Sequence, residues 1–413
     1  MQITATLSLV SFRHAVGCVV AFAASYVATE ASAAAPRVLL THPETLAATR
    51  QHVAAGEAAL TPAAERLRSQ AEKALDAGPF SVVQKDIVPP SGDKHDYMSI
   101  GPYWWPDPDK PDGLPYIRRD GEVNPERHEG DNTRLRGLTR AVETLGLAYY
   151  LFEHEPYAEH AAKLLRTFFL DPQTRMNPHL QFGQAIPGRV TGRGIGLIDT
   201  VALTGLVDAV GMLEGSAAWT EDDQEGLVAW FGEYLEWMLT SDHGRAERRY
   251  FNNHGTWYDV QVGSFALFVG REDLVRTTLT DWSKGRIASQ IEPGGAQQHE
   301  LRRTLSFNYS VMNLRGFMHL ATLGEQVGVD LWNYRTEDGR SIRAALDFLV
   351  PYARGEREWK HRQIRPISYQ TLIPHLRRAA VAYGEPAYAE LAARLADSST
   401  AAERFQLTYP LAH

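Results

Sequence analysis

The chain has 413 residues, 44% of them hydrophobic, with 22 Pro and 33 Gly, which suits a soluble enzyme with a large buried core. A formal net charge of −8 gives no bulk attraction to an anionic polymer, so nucleic-acid binding is disfavoured and any polyanion must be gripped by a local basic groove. The 9 Trp, 17 Tyr and 15 Phe, many in polar surroundings, offer the flat apolar faces that sugar sites need.

Residues 1–33 read as a secretory signal. Arg13 and His14 precede an apolar run over 15–27, and small residues follow, ending Ala31-Ser32-Ala33. The run is short for a membrane span, and no later stretch reads as transmembrane. Cleavage near Ala33 removes Cys18, so the mature chain, 34–413, carries no disulfide, thiolate nucleophile or cysteine metal site. The expected compartment is the periplasm or the exterior.

Helical periodicity recurs along the mature chain. It runs over 43–54, 61–77 (with Thr61-Pro62 as a start signal), 134–152, 156–169, 198–213 and 220–239. It resumes over 255–269, 274–290, 308–327, 341–353, 369–382 and 387–396. Strand signals are sparse. Roughly a dozen helices with short polar joints predict antiparallel pairs in one all-α catalytic domain, a toroid of helical hairpins. Two stretches fit no helix. Residues 80–132 are Pro-rich and aromatic, holding Tyr97, Tyr103-Trp104-Trp105 and Tyr116, and a loop this long in a compact domain is usually functional. Residues 171–196 hold His179, Gln184, Arg189 and Arg193.

Two polar clusters carry the chemistry. The first is Arg248-Arg249-Tyr250-Phe251-Asn252-Asn253-His254-Gly255-Thr256-Trp257-Tyr258, an amide and an imidazole among aromatic rings at the head of an apolar helix. Asn253 and His254 suit a substrate carboxylate, and Asn252 or Asn253 also suits a helix N-cap. Glu247, seven residues before His254, shares its face if the helix extends back, and then orients the imidazole. The second cluster is His299-Glu300-Leu301-Arg302-Arg303-Thr304-Leu305-Ser306-Phe307-Asn308-Tyr309. On a continuous helix Arg302 lies on the Tyr309 face, and Arg303 points elsewhere unless the helix starts later or bends. A cation beside a phenol favours phenolate, which makes Tyr309 a plausible general base.

Other signals are weak. Asp107-Pro108-Asp109-Lys110-Pro111-Asp112-Gly113 misses calcium-loop spacing by one residue, and 192–196 is no dinucleotide fingerprint. No metal-ligand spacing occurs among the histidines, and no cofactor is expected. A glycoside hydrolase would need two carboxylates across a cleft, and Glu247, Glu292, Glu300 and Asp199 form no recognisable pair. A non-catalytic glycan-binding protein would use the aromatic loop and basic residues without Tyr309.

Asn252-Asn253-His254-Gly255-Thr256-Trp257 resembles the Asn-Asn-His-x-x-Trp signature of the alginate lyase superfamily, and Glu300-Leu301-x-Arg303-Thr304-x-Ser306-x-x-Tyr309 resembles its Arg/Tyr element. The stretches 97–106 and 183–199 are similar to a branch that cleaves polymannuronate or glucuronan. The resemblance implies an (α/α) toroid of six or seven helical hairpins with a substrate groove across one end. It implies Tyr309 as acid/base, Asn253 and His254 at the carboxylate, and Arg303 beside the Tyr. Helix geometry instead prefers Arg302. It also implies an aromatic lid over the groove, at about 80–132, from Tyr103, Trp104, Trp105 and Tyr116. His179, Gln184, Arg193, Glu247, Trp257, Tyr258 and Arg302 are further candidates for substrate contact. The partner so implied is an anionic polysaccharide, cleaved by β-elimination to leave unsaturated ends.

Overall fold

The computed structural model describes residues 35–410; the signal segment expected at 1–33 lies outside them. Two helices, α1 (Pro43–Ala54) and α2 (Thr61–Ala74), come first. An irregular stretch follows, holding three short strands: β1 (Met98–Ile100), β2 (Trp104–Trp105) and β3 (Ile117–Arg118). Next are α3 (Asp131–Phe152) and α4 (Glu155–Leu165), then β4 (Phe182–Ala185). The chain continues with α5 (Leu203–Gly211), α6 (Glu221–Thr240), α7 (Asp242–Arg248), α8 (Asn253–Phe268), α9 (Glu272–Thr277), α10 (Lys284–Gln290) and α11 (Gln298–Leu301). It closes with α12 (Ser306–Val327), α13 (Ile342–Ala353), α14 (Ile373–Tyr383), α15 (Pro386–Leu395) and α16 (Phe405–Thr408).

Short joints force neighbouring helices to fold back on each other. Glu153 and His154 alone separate α3 from α4, and Glu153 turns the chain with a φ of 51°. An inner wall forms where α3 packs on α5, α5 on α8 and α8 on α12, with α4 and α6 outside it. The fold is the expected all-α (α/α) toroid. Helix α8 is buried on nearly every side, and the polar residues within it, such as Asp259 and Gln261, are buried with hydrogen-bond partners. Leu138, Leu145, Phe265 and Phe317 are fully buried in the core, each stabilising by about 1.5–3 kcal/mol.

Differences from the sequence expectation have local causes. Helix α6 begins where Thr220 and Asp223 form a capping box. The single helix expected over 274–290 contains a π turn at Thr278–Ser283, and that expected over 198–213 opens with a 3-10 segment, Gly194–Thr200. Residues Gly194–Gly211 are long and apolar enough to cross a membrane, contrary to expectation, but 61% of that window is buried within the protein, as in a core segment. Helices α7, α11 and α16 are too short to show periodicity.

The two non-helical stretches are stitched together. Strand β1 pairs in parallel with β4, and β2 pairs antiparallel with β3. Asp131 at the head of α3 accepts the Met98 backbone N–H at 2.9 Å and pairs with Lys85 at 2.9 Å, both side chains fully buried. Removing one partner of such a pair costs about 3–5 kcal/mol, so the base of the loop is firmly held.

Candidate active site

Helices α8 and α12 both begin beside one large cavity, of about 1660 Å³. Asn253, His254, Arg303, Tyr309, Tyr103, Trp104, Gln184, Arg193 and Trp257 all line it. The turn that presents Asn253 and His254 is held from behind. Arg286 donates to both carboxylate oxygens of Asp259, at 2.7 and 2.8 Å, and to the carbonyls of Tyr250 and Arg248, at 3.0 and 2.7 Å. Gly255 is required there: a Cβ would lie 2.1 Å from Arg286 Nη1 and 2.2 Å from the Tyr250 carbonyl.

Asn252 is the N-cap, accepting the His254 N–H at 3.1 Å, which leaves Asn253 for the cavity. Asn253 is itself tethered. Its backbone N–H and its side-chain Nδ2 each donate to Glu300 at 2.8 Å. An amide carries two N–H groups, so one remains for a ligand. Burial pushes the Glu300 carboxyl above the usual range, against the pull of those two bonds. Glu247, buried at 1%, lies 2.7 Å from His254 Nδ1. A carboxylate only accepts, so the imidazole donates from Nδ1 and presents Nε2. Both carboxyls thus sit behind the amide and the imidazole, and neither faces the other across a cleft.

The conflict between Arg302 and Arg303 is resolved by where α12 begins. The chain before Ser306 is irregular, bridged through Leu305 to Gln363. Arg303 therefore folds over the Tyr309 ring, its Cζ 3.7 Å from the ring centre. Arg302, preferred by continuous-helix geometry, is exposed and does not line the cavity. Asp120, on the loop, accepts from Arg303 Nη2 at 2.9 Å and Nε at 3.2 Å, and from the Thr304 hydroxyl at 3.0 Å. Burial opposes ionisation of Asp120, but Arg303 and Thr304 outweigh it and hold the carboxyl down to about 2.

Tyr309 departs from the phenolate expectation. Burial, and then Tyr103, push its hydroxyl well above the ordinary phenol range, outweighing Arg303. Arg303 is stacked on the ring and shares its charge with Asp120, so the resting phenol is neutral. Its partner is the Tyr103 hydroxyl at 2.7 Å.

Other candidates fall into two groups. Gln184, with a φ of 49°, donates to Asp199 at 2.9 Å, while its oxygens accept from Arg193 at 2.9 and 3.1 Å. Burial lowers Arg193 to about 10. These two brace the wall behind Trp104 rather than offering free polar ends. Trp257 is 2% exposed and forms cavity floor. Six expected contacts do not reach the cavity. Tyr258 is fully buried and bonds the Met238 carbonyl at 2.9 Å, because its helix face turns to the core. Tyr116 bonds Glu126, Trp105 bonds the Glu122 carbonyl, and His179 pairs with Asp96 at 2.9 Å. Arg302 and Glu247, the latter held behind His254, complete the six. Of the four expected lid aromatics, Tyr103 and Trp104 line the cavity.

Sequence reasoning missed Asp120, Arg127, Arg118 and Phe251. Arg127 lines the cavity, is 8% exposed, and has no hydrogen-bond partner for its Nε. Phe251, 61% exposed, packs against His299 at 4.7 Å on the cavity wall, a contact its place in the aromatic run hinted at. Among the described residues no group of three or more His, Cys, Asp or Glu is placed to hold a metal.

Comparisons with known proteins bear on this arrangement. The family model described as alginate lyase matches residues 81–359. An alginate lyase from Bacteroides ovatus is 41% identical, with a TM-score of 0.88 over 91% of this chain and 100% of its own. A variant of alginate lyase A1-III complexed with a tetrasaccharide has a TM-score of 0.55 at 16% identity, over 90% of this chain and 97% of its own. Alginate lyase A1-III from Sphingomonas species A1 has a TM-score of 0.51 at 16% identity, over 84% of this chain and 90% of its own. The last two speak for the fold alone. No curated protein matches. The chain belongs to the alginate lyase family and is a polysaccharide lyase.

Proposed function

We propose that this lyase cleaves a 1,4-linked uronic-acid polymer, alginate rich in mannuronate before glucuronan, by β-elimination. The observation that carries the reading is the meeting of the Tyr309 hydroxyl, the Asn253 amide and the His254 imidazole on one cavity. The substrate carboxylate lies against Asn253 and His254. While charged, it makes the adjacent C5 proton only weakly acidic; donors that neutralise it stabilise the enolate-like intermediate. The C5 proton passes to a base, its electron pair forms the C4–C5 double bond, the C4–O bond breaks, and the departing oxygen takes a proton.

If both groups leave from one face, Tyr309 performs both transfers, and its own proton must first leave, with Tyr103 as its immediate partner. If they leave from opposite faces, His254 Nε2 is the base and Tyr309 the acid. The neutral resting phenol favours the acid role for guluronate units and requires prior ionisation for mannuronate. Purified polymannuronate, polyguluronate and glucuronan, scored for near-ultraviolet absorbance of unsaturated ends, test the reading. Absorbance is expected with the first and abolished in Tyr309→Phe; wild-type-like turnover by that variant overturns the assignment. We also propose export to the periplasm or exterior, which N-terminal sequencing of the mature protein checks.

A further inference from the structure

The cavity does not end at Tyr309. It continues along the inner helices to a second group of charges. Arg136 and Arg140 project from α3, Arg315 from α12, and Arg404 from the segment before α16; all four line it, with Glu143 among them. Arg315 follows Tyr309 by six residues on one helix, about 9 Å farther along the axis. Its side chain is exposed by accessible area, yet protein surrounds it on nearly every side: it faces the water of the cavity. Its guanidinium lies over the Trp257 ring at 5.0 Å.

Charges here are unbalanced. Arg404 pairs with Glu143 at 3.6 Å and bonds the Thr144 hydroxyl at 2.7 Å. Arg136, Arg140 and Arg315 have no side-chain hydrogen bond or ion pair among the described residues. Burial pushes Glu143 up to about 7 against the pull of Arg404, so near neutral pH it offsets one arginine at most. Arg136, Arg140 and Arg315 all remain solvent-exposed within the cavity lining, so an anion that enters the cavity can reach all three. Planar forks suit carboxylates, and the Trp257 edge supplies an apolar floor.

We propose that this inner arginine cluster is a second carboxylate station, holding a uronate unit of the same polymer remote from the one cleaved at Tyr309. The inference rests on the polyuronate reading of the site. It makes the ring of helices a grip for long chains and gives the −8 protein the local basic surface it needs.

Calorimetric binding of saturated mannuronate oligomers of increasing length to the Tyr309→Phe enzyme tests this without turnover. Affinity should climb once the oligomer is long enough to reach the cluster. In the same background, Arg140→Gln combined with Arg315→Gln should remove that climb, about tenfold per lost charge-assisted contact, and leave the shortest oligomers unaffected. Arg140→Lys with Arg315→Lys should restore part of it, and rising salt should erode it. Length dependence unchanged in the double glutamine variant overturns the proposal, provided its melting matches the parent; a variant that melts early is replaced by the lysine pair, whose wild-type-like salt-independent binding would overturn it equally. Failure of the polyuronate reading looks different: neither parent nor variant binds any oligomer, or Tyr309→Phe still turns over.

Discussion

The cavity has two walls built on different physics. One is helical: Asn253, His254 and Tyr309 stand at the heads of α8 and α12, and the turn beneath them is locked to Arg286 and the buried Asp259. The other is the stretch between β1 and α3, where Tyr103, Asp120 and Arg127 are brought in by short ladders and polar ties. The helical wall owes its geometry to the core. The loop wall owes its geometry to a few hydrogen bonds, so single substitutions separate it from the site without unfolding the protein.

The largest effect belongs to the helical wall. Tyr309→Phe should lower kcat by about 10²–10⁴-fold with an unchanged melting temperature. Glu247→Gln should follow, costing roughly 1.5–3 kcal/mol of transition-state stabilisation by releasing His254, seen as a fall in kcat with little change in KM. Asp120→Asn probes the loop wall: it should raise KM and cost a similar or smaller energy, with the fold intact. Asp120 also predicts a pH effect. Its carboxyl is depressed from 3.8 to about 2, so its tie to Arg303 contributes fully above its unfolded value and is lost as pH falls through that window. Acid melting of the Asn variant should be less pH-sensitive between those values than that of the wild type. Phe251→Ala, on an exposed ring, should change KM by only a few-fold, within about 1 kcal/mol, and leave stability within about 0.5 kcal/mol.

The pH–rate profile sharpens the comparison within Tyr309 itself. Its hydroxyl is raised, so a base role requires activity to climb on the alkaline side as the phenolate forms. An acid role requires activity to decline as the phenol ionises on the alkaline side. Polymannuronate and polyguluronate measured side by side should show the two forms.

Helices were legible because apolar faces repeat with the helical period, and the Asn253–His254 and Tyr309 clusters stood out because they are local in sequence. Glu247 was legible from its nearness in sequence, although it stands on α7 and reaches His254 across the break at 249–252 rather than along one continuous helix face. Arg303 was harder: the helix starts only at Ser306, a fact set by the bridge from Leu305 to Gln363. Asp120 and Arg127 left no signal, because their partners lie far away along the chain or on the cavity. Tyr258, Trp105, Tyr116 and His179 were misread for one reason. An aromatic or imidazole in a polar neighbourhood looks the same in sequence whether its polar tip meets substrate or a nearby backbone carbonyl or carboxylate.

The guanidinium of Arg286 has a consequence for redesign. It welds the Asn253–His254 turn to the hydrophobic interior, so altering that wall trades away folding stability along with chemistry. Retuning which polymer is accepted is therefore a matter of grafting different sequences between Gly101 and Gly130, where the tether is shallow and the scaffold would tolerate exchange.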